Sequence, residues 1–339
     1  MRKPVVVLPV LAVLAAVAAL AALLVGATVS PADTLAAVFG GGDDLTRGVL
    51  TELRVPRVLV GLGVGAALGL SGTVLQAVLR NPLASPEVTG VGSGAVLGAV
   101  AGTVFLGIAD QPEALTITAV LGGVLGGASL WLIAAKAEPL RLAVLGVLVS
   151  AVLAGASLVL LTARPQLAGA AARWLVGSLS GRTWEHWNGL WPWLLLVALA
   201  SVVLAPALDL LAVDDDHART VGLAVVPWRL TALGAAVLAT AAAVAAAGTV
   251  SFVGLLAPHA VRKVLGAEHR WLLPASALVG AACVGGADFA AQALTALVPS
   301  VGSQRLGIPT GAVTAVLGAV VLVVVARRAS RAPLEGGSR

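Results

Sequence analysis

Charge is what this chain has least of: 11% of its 339 residues are Asp, Glu, Lys or Arg, while 59% are hydrophobic. A soluble domain carries nearer a quarter charged residues, so too few polar side chains are available to coat a water-soluble globule of this size. Cysteine is almost absent. The single Cys283 excludes an internal disulfide, and the four scattered histidines, His186, His217, His259 and His269, have no metal-ligand spacing. The three lysines, Lys3, Lys136 and Lys263, all lack a preceding glycine, so there is no Gly-Lys-Ser/Thr phosphate-binding loop.

Long apolar runs fill the space that charge leaves. Mean hydropathy is +1.02, and runs near the roughly 20 residues needed to cross a bilayer recur along the whole chain. The fold class is therefore all-α: a polytopic membrane protein, one transmembrane domain over 1–339. The 40 glycines suit helices that pack closely in lipid. Candidate spans fall near 5–29, 56–79, 90–109, 115–135, 141–162, 189–208, 229–247, 250–265, 271–297 and 309–326, about ten in all. The first apolar stretch, Pro4 to Val29, exceeds the roughly 7–15 residues of a signal-peptide core and reads as a retained span. The eighth is short for a full crossing.

Basic residues set the orientation. With the N-terminus inside, 14 of the 21 Lys and Arg residues fall on the inner side, including Arg80, Arg229, Arg262 and Lys263. Trp131, Trp228 and Trp271 then sit at inner ends, and Trp174, Trp184, Trp187 and Trp191 at an outer one. Both termini are expected to be cytoplasmic. The net charge of +5 serves this orientation and calls for no nucleic-acid partner.

Ten spans divide into two fives, and an odd count requires the second half to insert upside down. The inverted halves would run over about 1–165 and 189–328. A faint trace is the Gly-Thr-Val shared by SGTVLQAVLRNPLA (71–84) and AGTVSFVGLLAPHA (247–260). The long inner loop, about 207–229, reads ALDLLAVDDDHARTVGLAVVPWR. Leu208 to Val221 alternates apolar and acidic residues at helical spacing, Gly222 permits a sharp turn, and a second short apolar segment follows. Two short helices around a glycine are expected there, as a docking element.

RVPR (54–57), GAALGLSGTVLQAVLRNPLASPEVTGVGSGA (65–95), RWLVGSLSGRTW (173–184), FVGLLAPHAVRKVLGAEHRWLLPASALVGA (252–281) and GADFAAQ (286–292) occur in order. Together they resemble the FecCD/BtuC-like permease family, the membrane subunits of bacterial ABC importers for iron–siderophore complexes, haem and vitamin B12. The resemblance implies a permease of the bacterial cytoplasmic membrane that is not itself an enzyme and has no catalytic or metal-binding residues. Its implied partners are an ABC ATPase dimer, a second permease subunit (identical or related), an extracytoplasmic substrate-binding protein and the lipid bilayer. Iron–siderophore is the favoured cargo, with haem or cobalamin as the alternative. The chain would hold no cofactor; ATP and magnesium would act in the separate ATPase, in keeping with the missing phosphate-binding loop.

The resemblance also implies roles for residues. Arg54 and Arg57, either side of Val55-Pro56, would face outward and meet acidic residues of the binding protein. The family usually has arginine where this chain has Gln292, and Arg305 is the candidate substitute. The coupling element would use Leu210, Asp214, Asp215, Ala218, Arg219, Gly222 and Leu223 against the ATPase. Asn81 and Pro82 would mark a helix-to-loop change at the inner end of span two. Pro258 would bend span eight, His259 would be a satisfied buried histidine, and Asp288 would serve helix packing. The last span lacks the family's usual Pro-Phe pair, and Val320-Val321 stands there. Spans five and ten would line the pathway.

Two rival functions are weaker. An ion-coupled secondary transporter would need ionisable relays in mid-membrane, and only Asp288 is so placed. A prenyltransferase would need two acidic clusters on one diphosphate, but Asp43-Asp44 and Asp214–Asp216 fall on opposite faces.

Overall fold

A computed structural model describes residues 2–26, 29–41, 43–134, 139–162, 174–297 and 307–330. Among them there is no strand. The helices are α1 (Arg2–Leu24), α2 (Pro31–Val38), α3 (Asp44–Gly48), α4 (Val55–Val78), α5 (Val91–Ala101), α6 (Pro112–Ala134), α7 (Pro139–Thr162), α8 (Trp184–Leu211), α9 (Asp215–Thr220), α10 (Val225–Ala247), α11 (Val253–Leu265), α12 (His269–Leu297) and α13 (Thr310–Ser330). Wider π-helical turns lead from α3 into α4 and extend α5 to Leu106.

Each of the ten apolar segments expected as spans contains a helix among the described residues. Seven helices in the described residues are long and apolar enough to cross a membrane, and Val91–Leu106 and Thr310–Val324 are shorter apolar helices. α11 has 13 residues, about 20 Å at 1.5 Å per residue, too little for a crossing.

α4 is the centre of the bundle. Its Val60, Val64, Leu68 and Leu75 form one core with Leu190, Leu204 and Leu208 of α8, alanines of α10, and Leu273 and Val284 of α12. With lipid as the alternative environment, apolar burial gains little, and close backbone packing has to hold helices together. Gly65, Gly69 and Gly72 of α4 provide it: a methyl at these positions would run into the carbonyl oxygens of Gly280, Ser276 and Gly254. Pro258 cannot supply the N–H that would normally bond Gly254 O, and that carbonyl is the one Gly72 packs against. Outward, α7 exposes Val144, Val147, Leu148 and Val152, and α13 exposes Val316, Leu317 and Val320.

Two expectations are corrected here. The segment 207–229 contains one short helix, not two: Leu208–Leu211 is the end of α8, and Val225 already opens the long α10. The two Gly-Thr-Val stretches are not equivalent either. Gly72-Thr73-Val74 lies inside α4, whereas Gly248-Thr249-Val250 lies between α10 and α11.

Candidate functional site

The site lies where α8 hands over to α9. Asp214 is extended (φ −163°, ψ 149°), and α9 starts at Asp215 with Asp215 and Asp216 in its first turn and Arg219 in its last. Negative charge at the N-terminus and positive charge at the C-terminus both favour the helix dipole. The helix stops at Gly222, whose φ of +90° suits glycine. Gly222 N–H donates to Arg219 O and Leu223 N–H to Ala218 O, each at 2.9 Å, the paired bonds of a Schellman stop. Ala218 is buried in a small apolar cluster with Leu211 and Val225, against Leu210, Leu223 and Trp228. Leu210, Ala218 and Leu223 therefore seat the knob, while Asp214, Arg219 and Gly222 are exposed.

Asp215 is the node beneath it. The Arg229 guanidinium donates to both of its oxygens, Nη1 to Oδ2 at 3.1 Å and Nη2 to Oδ1 at 2.6 Å. Arg80 donates to the same Oδ1 through Nη2 and to Leu211 O through Nε at 2.9 Å. Arg80 stands just past α4 with φ +48°, uncommon for a residue with a side chain. Neither arginine was singled out for this role from sequence. Arg80 is 135 positions from Asp215, and no local spacing announces the contact.

Beyond Arg80 the chain crosses 81–90 as a loop. Asn81 is buried and its Oδ1 accepts Leu83 N–H at 2.9 Å, while Pro82 is exposed. Glu87 has a buried Oε2 without a hydrogen-bond partner. Burial pushes its carboxyl above the usual range, partly opposed by hydrogen bonds from Ser85 and the backbone. Pro258 is buried inside α11. His259 is half-buried and its Nε2 makes no hydrogen bond, which corrects the expectation of a satisfied histidine. His269 was not singled out for a role: its ring Nδ1 lies 2.6 Å from Asp209 Oδ1, and its backbone N–H donates to the same oxygen at 2.8 Å. This contact pins α12 to the last turns of α8.

The opposite end holds the arginines expected to meet a binding protein, and neither is presented outward. Arg54 is buried. It donates to Leu23 O at 2.9 Å, Val29 O at 3.0 Å and Thr34 Oγ1 at 2.8 Å, holding the end of α1. Arg57 grips Asp288, Nε to Oδ2 at 3.0 Å and Nη2 to Oδ1 at 2.8 Å. Thr310 Oγ1 and Gln292 Nε2 also donate to Asp288, at 2.8 and 2.9 Å. Gln292 reaches Ala22 O as well, at 3.2 Å. One carboxylate thus ties α4, α12 and α13, with α1 attached through Gln292. The physical reason for the correction is burial: a guanidinium at this depth needs acceptors, and the protein supplies them internally. Arg305 lies outside the described residues.

The described helices thus form a bundle with a short, charge-clamped helix between α8 and α10. The model of the FecCD transport family matches residues 13–328. The chain belongs to the FecCD transport family. This FecCD chain is 38% identical over 271 residues to the Fe(3+) dicitrate transport system permease protein FecD of Escherichia coli K12, covering 80% of this chain and 82% of FecD. It is 36% identical over 307 residues to the ferric enterobactin transport system permease protein FepG of the same organism, with 90% of each chain covered. Among solved structures, an ABC transporter assigned to the metal-chelate type, in an inward-facing conformation, superposes with a TM-score of 0.76. It is 28% identical and covers 95% of this chain and 98% of its own. This FecCD chain is accordingly a multi-pass transport subunit and not an enzyme.

Proposed function

We propose that this chain is the transmembrane permease subunit of an ATP-driven importer that carries iron(III)–siderophore across the bacterial cytoplasmic membrane. The observation that carries the reading is the α9 knob. It is a short helix with a glycine stop, flanked by the exposed Val213, Val221 and Val226, and Asp215 anchors it to two neighbouring elements. An ATPase groove receiving this knob moves it without touching the cargo. The chain lacks a phosphate-binding loop, which supports a separate ATPase chain in which ATP and magnesium act. A second permease subunit facing the exposed valines of α7 and α13 completes the pathway.

In the same proposal the α9 end and both termini are cytoplasmic, in line with the basic residues on that side. An external binding protein delivers cargo at the Arg54 end, through contacts other than Arg54 itself. The iron citrate and enterobactin relatives support siderophore over haem or cobalamin. The decisive experiment is reconstitution of this chain with its ATPase, partner permease and binding protein in vesicles. ATP-dependent accumulation of ferric siderophore is the expected result. Accumulation of cobalamin but no ferric chelate would move the cargo assignment; uptake by this chain alone, driven by an ion gradient, would overturn the class.

A further inference from the structure

A six-residue helix is too short to be stiff by itself, so a push on α9 dissipates unless something behind it resists. We propose that Asp215, Arg80 and Arg229 form a latch that locks α9 to the 80–90 segment, so that displacement of α9 is delivered through that segment to α7. The latch rests on the ATPase-coupling role proposed above.

Three elements meet at one carboxylate. Asp215 belongs to α9, Arg229 lies near the start of α10, and Arg80 belongs to the junction leaving α4. The three side chains are only 25–35% exposed, which shields the pair from full solvent screening. Arg80 also holds Leu211 O, so one guanidinium grips both sides of the 212–214 joint. Movement of α9 relative to α8 therefore has to carry Arg80 with it or break a charged contact. The left-handed backbone at Arg80 directs the chain into 81–90 and is a costly conformation that only a well-determined surrounding maintains.

The segment is fastened equally firmly at its other end. Ser150 Oγ of α7 donates to Glu87 O. The neighbouring Val88 O lies against Gly146 of α7, where no side chain would fit. Pro86 packs on Gly254 at the start of α11. The 80–90 segment is thus a strut, latched to the knob at one end and bolted to α7 at the other.

Two measurements on the importer assembled from this chain, its partner permease, its ATPase and its binding protein test the latch. First, spin labels at Leu83 and His217 in a Cys283→Ala background report whether the strut and the knob move as one body. The expected result is one distance in both nucleotide-free and ATP-bound states; a distance that changes between them overturns the latch. This readout needs no cargo and no latch mutation. Second, Arg80→Gln and Asp215→Asn are compared singly and together, with ferric citrate as probe and both uptake and ATP hydrolysis recorded. Each single variant is expected to lose about tenfold in uptake per ATP hydrolysed, with the double variant no worse, the signature of residues that act through each other. Uptake per ATP within about twofold of the parent in both single variants, or losses that multiply, would overturn it. If the unaltered chain binds no ATPase, the coupling role itself falls, a failure distinguishable from a broken latch in an assembled importer.

Discussion

Arg57 and Asp288 show how one ion pair decides what a substitution does. The carboxylate is 2% exposed and accepts from Arg57, Thr310 and Gln292. Removing the guanidinium leaves a buried charge, a loss of about 3–5 kcal/mol. Arg57→Met is therefore expected to lower the melting temperature in detergent sharply, and Arg57→Met with Asp288→Asn to recover much of the loss. Equal melting of the single and double variants would show that the pair is not the reason. Gln292 donates to Asp288 without adding a second cation to the site. Glu87 behaves differently, because burial raises its carboxyl above the ordinary range. A raised folded-state pKa stabilises the fold fully below the unfolded value, and that contribution is lost as pH rises through the folded value. Glu87→Gln should therefore leave the melting temperature unchanged under acid conditions. At neutral pH it should raise it, as read from melting curves across pH.

Helices and their joints respond to where a glycine sits. Gly222 has φ +90° and open space around it, so Gly222→Ala pays only the left-handed backbone cost, about 1–2 kcal/mol. The bundle should survive while the end of α9 frays. Gly72 packs directly on the Gly254 carbonyl, and an added methyl has nowhere to go. Gly72→Ala should separate α4 from α11 and abolish accumulation of folded protein. Size-exclusion profiles with melting temperatures separate the two outcomes, and equal behaviour of both variants would contradict the packing of α4. The apolar runs made most of these helices legible, since hydrophobic length is a local property. The sequence predicts two short helices where the structure has α9 alone, because Leu208–Leu211 and Val225–Val226 carry the same apolar pattern whether they end a long helix or form a short one.

For the molecule as a whole, the proposed function requires that the chain move without itself hydrolysing nucleotide. Purified alone in lipid, it should show no ATP hydrolysis above an empty-vesicle control and no cargo accumulation. Both activities should appear together when the ATPase, partner permease and binding protein are added. Hydrolysis by the lone chain, measured as phosphate release, would refute this. Membrane residence, the multi-helix architecture and the missing nucleotide loop were all readable along the chain, because each depends on composition or on consecutive residues. The family, too, was visible in ordered motifs. What no stretch of sequence could show is which charges meet. Arg54 and Arg57 stand in a motif that reads as outward-facing, yet folding brings acceptors from α1, the segment leading into α2, and α12 around them. Arg80 and Asp215 lie 135 residues apart and touch only because α4, α8 and α10 converge. Hydrophobic periodicity places helices, but the partner of a buried charge is set by helices distant in sequence.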